Sequence, residues 1–389
     1  MPGDWDDLIV FCGSMFWSGI RMFDQNMAEA LTAYAPVLYV DPPVSALTRF
    51  RNPAAAAAQG KGLRQVGPRL SVLSPRVLPL KERPGGKQLA LAATRRAMAK
   101  AVDELGSRSV RAVIVPSLNP LFGVLGETHR VFYATDDFLA GASLMGISKR
   151  RLVRRARQQP KDADIVVAVS PVLADRLAAQ GANPILIPNG CDAEHFATAG
   201  TPSAESEPVA AFVGHLSDRV DVRLLEAVAA TGAALRVIGP RQETMSAGYF
   251  DALLSMPNVN WSGYLPYEDL PRALTDVTTC LLPYSDNDFN RASFPLKMLE
   301  YLAAGRRVVS TPLPAVDWLG TSFITTAATP AAFAEAVTQS LAAPLNADEV
   351  GARRAFASGH TWSHRARVLA QAIELVGSGS APYLPGARA

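Results

Sequence analysis

Cysteine is nearly absent: the 389 residues hold three, Cys12, Cys191 and Cys280. Each stands alone in an apolar or turn context, without CxxC or histidine-rich spacing. That argues against a zinc site and predicts a reducing, cytoplasmic setting. Long apolar runs are missing too, since no stretch reaches the roughly 18 consecutive apolar residues that a membrane helix needs. The opening "MPGDWDDLIVFCG" places acids ahead of its apolar run, the reverse of a secretory signal. Lysine supplies only 7 of the 38 basic residues while alanine is abundant, the composition of a GC-rich bacterial genome.

What is present is an ordinary globular composition, 49% hydrophobic and 19% charged, in a chain long enough for two full cores. The net charge of +3 is unevenly divided. Residues 1–190 carry 24 basic against 15 acidic residues, whereas residues 191–389 carry 14 against 20. A basic first half suits an anionic ligand or a peripheral contact with the inner membrane face; scattered surface charge without a partner is the alternative. Both readings stand at this level.

Short β-branched runs alternate with amphipathic stretches throughout. In the first half the runs are "DLIVFC", "PVLYVD", "RAVIVP", "RVFYAT" and "DIVVAVS", with helical patterns such as "MFDQNMAEALTAYA" and "LALAATRRAMAKAVDEL" between them. After a polar segment the alternation restarts with "VAAFVG", "ALRVIG", "VNWSG", "TTCLLP" and "RRVVST". Continuous apolar strands separated by helices predict parallel sheets covered on both faces, here an α/β chain of two Rossmann-like, doubly wound domains. The predicted division is a basic domain over 1–190, a linker over 191–207, a second domain over 208–360, a C-terminal helix over 361–376 returning to the first domain, and a flexible tail over 377–389. Residues 52–62, "NPAAAAAQGKG", read as a low-complexity surface loop. Ligands of such sheets bind beyond the carboxyl ends of the strands, so a central cleft faced by both domains is the expected site.

"SFPLKMLEYLAAG" carries the sharpest signal. Pro295 suits the first helical position and Gly305 the C-terminal stop. The amides of Phe294, Pro-flanked Leu296 and Lys297 would emerge at a helix N-terminus, an anion site to which Lys297 adds a full charge. In the first domain, Gly13 and Ser14 mark a strand-to-helix turn where backbone can approach a phosphate or sugar. Trp17 and Arg21 follow as candidates for shaping an acceptor pocket. Asp136 and Asp137 end another strand, where they would orient or deprotonate an acceptor hydroxyl, or else cap the next helix. "DND" at 286–288 has the form of a metal-binding pair but sits on a polar loop, and no metal or other cofactor is expected. The stretch 148–161 is arginine-rich, with a solvated face as the simpler reading and a membrane surface as the other; too few aromatics are interleaved for nucleic acid.

In order and spacing these motifs, with "IPNGCDAEHF", "FVGHLSDRVD", "NVNWSGYLPYEDLP" and "LLPY", resemble nearly the whole length of the family-4 type of GT-B glycosyltransferases. The resemblance implies two Rossmann-like domains, a nucleotide-sugar donor as co-substrate, no essential metal, and a polysaccharide, oligosaccharide or glycolipid acceptor. It implies the donor diphosphate at Ser293–Lys297 and the ribose hydroxyls at Glu300. It also implies basic residues at the turn after Gly214, where His215 and Arg219 lie nearest, one residue closer than is usual. The chain departs from the family pattern where a first glutamate contacts the donor sugar, eight positions before the second: that position is Ala292. Asn290 or Asp288 would have to substitute. The activity implied is hexosyl transfer with retention of configuration, with GDP-mannose as the leading donor and UDP-hexoses next. The rivals are a nucleotide-sugar 2-epimerase of the same fold and an inactive partner subunit.

Overall fold

The apolar runs read from the sequence form strands because alternate faces of each are buried under helices, and the computed structural model shows them assembled into two sheets. The structure describes residues 5–45, 60–78, 85–142, 149–202, 207–242 and 248–377. Most of the 52–62 loop, residue 148 of the basic stretch and residues 378–389 of the tail lie outside the described residues.

Among the described residues the chain divides into a first unit, residues up to 188 with 362–377, and a second, residues 189–361. The first unit's sheet has eight strands in the order Pro184–Leu186, Ile165–Ala168, His129–Ala134, Val110–Val115, Leu8–Cys12, Val37–Val40, Leu70–Ser74, Gly62–Gly67. All neighbours are parallel except the last pair, an antiparallel hairpin. The expected wholly parallel sheet is therefore corrected at this edge. Leu70–Ser74 is fully buried, yet its serines interrupt the apolar run: Ser71 and Ser74 are 0% and 2% exposed. Buried serines in place of apolar side chains, one of which (Ser74) donates to Asp41, leave this strand without a periodicity signal. Helix Trp362–Ala372 belongs to this unit and lies against Phe23–Leu31, with the Trp362 ring edge-on to Phe23 at 5.9 Å. On helix Lys149–Asp162, Arg154, Arg155, Arg157 and Lys161 are exposed, while Gln159 and Pro160 are buried. Among the described residues no helix is long and apolar enough to cross a membrane.

The second unit's sheet is wholly parallel, in the order Val259–Trp261, Ala234–Ile238, Val209–Val213, Val277–Leu282, Arg307–Ser310, Ile324–Thr326. Helices Val222–Ala230 and Pro330–Leu341 cover one face over a core that includes Phe212, Leu225, Val237, Leu281 and Phe333. Each such side chain, once fully buried, contributes about 1.5–3 kcal/mol. In both sheets the chain winds outward in one direction and then reverses. The reversal falls between Leu8–Cys12 and Val110–Val115 in the first unit, and between Val209–Val213 and Val277–Leu282 in the second. Loops that leave neighbouring strands in opposite directions open a crevice at the carboxyl ends, where ligands of this architecture bind.

The linker expected over 191–207 is corrected in part. Cys191 bridges Thr361, Asp192 caps helix Ala193–Ala197, and Phe196 is 1% exposed against the Tyr267 ring. An aspartate cap followed four residues later by a buried aromatic overrides the small, polar composition that suggested a linker. Residues 203–206 lie outside the described residues. All three cysteines are buried, and burial pushes the Cys280 thiol up to about 12.

Candidate functional site

At the second unit's switch point, strand Val209–Val213 ends at Gly214, whose amide donates to the Ile238 carbonyl at 2.9 Å. The loop then carries His215 and Arg219 and is pinned by Leu216 and Val220, both fully buried. Val220 bridges Tyr284, just beyond the neighbouring strand, and the Ser285 amide donates to the Arg219 carbonyl at 2.9 Å. Two loops are thereby fastened to each other across the crevice.

Among the described residues, Arg219 is held only by neutral groups. Its Nε donates to Asn290 Oδ1 at 3.0 Å and its Nη2 to Ser293 Oγ at 3.2 Å. The Tyr284 and Phe289 rings lie 5.1 and 5.0 Å from the guanidinium carbon, within cation–π range. No carboxylate among the described residues pairs with it. By contrast Arg21, Arg176, Arg223, Arg236 and Arg291 each pair with a carboxylate. Desolvation, followed by the charges of Lys297 and Arg219, holds the His215 imidazole below its ordinary pKa. Three basic groups thus converge at the carboxyl end of the sheet.

The neighbouring helix runs Leu296–Ala303, with Pro295 at its N-cap rather than in its first turn. Phe294 is buried against Trp318, and its carbonyl accepts from Asn189 Nδ2 at 2.7 Å. Gly305 has φ +78°, its amide donates to Leu302 and the Arg306 amide to Tyr301, which closes the helix with a Schellman turn. The amides of Leu296 and Lys297 precede the first intrahelical donors and so complete the positive end of the site. Lys297 and Glu300 form an ion pair at 2.5 Å, with Glu300 buried. The sequence reading gave them separate partners; an i, i+3 spacing on one helix face brings them together instead. The Lys297 charge is therefore shared with Glu300, whereas that of Arg219 is not shared with a carboxylate among the described residues.

Asn290 was considered for a sugar contact, and the structure corrects that. It is 0% exposed, its Oδ1 accepts from Arg219, and its Nδ2 donates to the carbonyls of Arg219 at 3.0 Å and Ser285 at 2.9 Å. Ala292 is also 0% exposed, so the position of the missing glutamate points into the core of this chain. In "DND", Asp286 pairs with Arg291 and Asn287 caps helix Asp288–Ala292, accepting from the Asn290 amide at 2.8 Å. Among the described residues no group of three His, Cys, Asp or Glu side chains could hold a metal ion.

In the first unit, the turn at Gly13 and Ser14, a candidate for backbone approach to a phosphate or sugar of the donor, has its hydrogen-bond donors engaged within the chain. Asp24 Oδ2 accepts from the Ser14 amide at 2.7 Å, the Ser14 hydroxyl at 2.6 Å and the Met15 amide at 2.8 Å. Asp41 Oδ1 accepts from the Trp17 amide at 2.7 Å. The turn's donors are spent on two buried carboxylates, whose pKa values burial raises against these hydrogen bonds. Gly13 is required by packing, since a Cβ there would lie 2.1 Å from Tyr39 Oη. Trp17 meets the Tyr39 ring edge-on at 5.1 Å. The Arg21 guanidinium is used by Asn26 and Glu29, which removes it as an acceptor ligand. Asp137 caps the following turn through the Leu139 and Ala140 amides, both at 2.9 Å, and pairs with Arg176. Committed in this way, it is a capping residue rather than a base. Asp136 lines a cavity of about 300 Å³ with Leu118, Phe132, Leu173 and Leu177.

Sequence reasoning missed Asp24, Asp41, Tyr284 and Phe289. The acids follow "YV" and open the first helix, positions where an acid reads simply as a cap. The aromatics flank "SDND", and their spacing becomes meaningful only once Arg219 lies between them.

Residues 219–371 match the family described as glycosyl transferase-like. The chain is 26% identical over 216 residues to the putative teichuronic acid biosynthesis glycosyltransferase TuaH of Bacillus subtilis (strain 168), covering 51% of this chain and 54% of TuaH. It thus spans about half the length of that curated relative. Sucrose-phosphate synthase from Thermosynechococcus elongatus superposes with a TM-score of 0.72 at 17% identity, over 94% of this chain and 98% of that one. Anabaena HepE in complex with UDP-glucose gives a TM-score of 0.63 at 14% identity, over 95% and 100% of the two chains. The chain has the GT-B fold of these structures, and the glycosyl transferase-like match runs from Arg219 through the second unit into the C-terminal helix of the first.

Proposed function

We propose that this GT-B chain, a relative of TuaH-like glycosyltransferases, moves a hexose from a nucleotide-diphosphate sugar to a hydroxyl of a glycan or glycolipid. The observation that carries the reading is Arg219, fixed at the switch point by neutral partners and flanked by His215, Lys297 and a helix N-terminus. Such a cluster of like charges at a helix N-terminus is suited to a diphosphate.

In the transfer, the bond between the sugar's anomeric carbon and the diphosphate oxygen breaks while the acceptor oxygen bonds to the same carbon. The acceptor's proton passes to the leaving phosphate on the same face, which retains configuration. Negative charge grows on the diphosphate as the bond breaks. A preorganised guanidinium and helix-end amides stabilise that charge, and removing one such donor typically costs about 100- to 1,000-fold in kcat. Glu300, buried beside the helix start, is the group for the ribose hydroxyls, and binding there releases Lys297 towards phosphate. Side chains supply the positive charge in this scheme, so chelation of divalent metal leaves donor binding unchanged.

GDP-mannose remains the proposed donor. UDP-glucose is the rival, because HepE is similar in fold and is described in complex with it. A second reading, a partner subunit that binds donor without transfer, draws on the buried Ala292 where a sugar-holding carboxylate was expected. A thermal-shift panel of GDP, UDP, ADP and dTDP with their sugar conjugates, with and without EDTA, tests the reading. Stabilisation by one nucleotide, lost in Arg219→Ala, supports it; no shift with any nucleotide defeats it. Release of nucleoside diphosphate from the bound donor with an acceptor mixture separates transfer from binding alone.

A further inference from the structure

We infer that Asn290 is a positioning residue that fixes the Arg219 guanidinium for a diphosphate while leaving its charge unneutralised. The inference rests on the functional reading above and concerns the same site.

One buried amide grips residue 219 at two places. Asn290 Oδ1 takes the guanidinium Nε, and Nδ2 spends one hydrogen on the Arg219 carbonyl and the other on the Ser285 carbonyl. The loop after Gly214 and the loop after Leu282 are thereby set relative to each other and to the side chain they present. Ser293 adds a third point: its hydroxyl donates to the Asn290 carbonyl at 2.8 Å and accepts from Arg219 Nη2. Nη1 has no protein partner among the described residues and remains the donor for a ligand.

Every component of this clamp is neutral. A carboxylate at 290 would also accept from Nε, but it would cancel most of the guanidinium's charge at short range. It would also set its second oxygen against two backbone carbonyls. An amide is therefore the side chain that orients the guanidinium and keeps it cationic. The same geometry accounts for the buried Ala292: helix Asp288–Ala292 turns residue 290 towards Arg219 and residue 292 into the core. The short helix that lacks a carboxylate at 292 thus carries a charge-preserving clamp two residues earlier, at 290.

The test is a double-mutant cycle read by calorimetric titration with inorganic pyrophosphate, UDP and GDP. In the native background, Asn290→Ala is expected to weaken diphosphate binding by about tenfold, the lower range for one hydrogen bond to a charged group. In the Arg219→Ala background the same change is expected to matter by less than about twofold. Asn290→Asp, close to the native shape, is expected to bind at least as poorly as Asn290→Ala. Ser293→Ala, which removes one bond to Nη2, gives a milder version of the cycle should an Asn290 variant fail to fold. Equal losses in both backgrounds, or native affinity in Asn290→Asp, would overturn the positioning role while leaving the site's function intact. A native chain that binds none of the three diphosphates would overturn the functional reading, and this inference with it.

Discussion

Replacing Arg219 with lysine keeps the charge and discards the geometry, which makes it a direct test of the site. The native guanidinium makes hydrogen bonds of 3.0 and 3.2 Å and lies between two aromatic rings about 5 Å away. An ammonium group has no planar face for those rings and no fork for the two acceptors. Losing the Nε bond strands Asn290 Oδ1 in a fully buried residue, at a cost of about 1–3 kcal/mol of stability. Each cation–π contact adds about 0.5–1 kcal/mol at a partly exposed site. Diphosphate affinity should fall by about 1.5–3 kcal/mol, or roughly tenfold to a hundredfold, as one charge-assisted hydrogen bond is lost. Because net charge is unchanged, the dependence of affinity on salt concentration should stay close to native. Titration calorimetry with UDP and GDP at two or more ionic strengths, alongside thermal denaturation, measures all three quantities. Native affinity in Arg219→Lys would refute the reasoning, because it would mean that charge alone, without the fixed fork, suffices.

Two further outcomes follow, one from each unit. His215 has a lowered pKa, and a bound diphosphate would favour its protonated form, so affinity should rise as pH falls towards and through the folded value; His215→Gln should lose that component when the two pH profiles are subtracted. The sign for folding is opposite: the unfolded chain binds more protons at 215 between the lowered and ordinary histidine values, so this group's contribution to stability grows as pH rises through that window. Gly13→Ala should destabilise the chain by about 1–3 kcal/mol through overpacking on Tyr39. Nucleotide affinity of the folded fraction should be unchanged, and a selective loss of binding without loss of melting temperature would return Gly13 to the donor site.

The two series of strands and helices are legible in the chain's residue pattern, because continuous β-branched runs between amphipathic segments have few other solutions. That pattern also determined the helix that opens at Pro295 and closes at Gly305, since cap chemistry is local. What it could not determine was the use made of each polar side chain. Ser14, Arg21, Asp137 and Asn290 all have residue types that bind ligands, and each is instead committed to another part of its own unit. Those partners, Asp24, Glu29, Arg176 and Arg219, are 8 to 71 positions away. Only the tertiary structure brought them within hydrogen-bonding distance. It also left Arg219 without a carboxylate among the described residues, and the physical reason is that an orienting amide costs the guanidinium none of its charge.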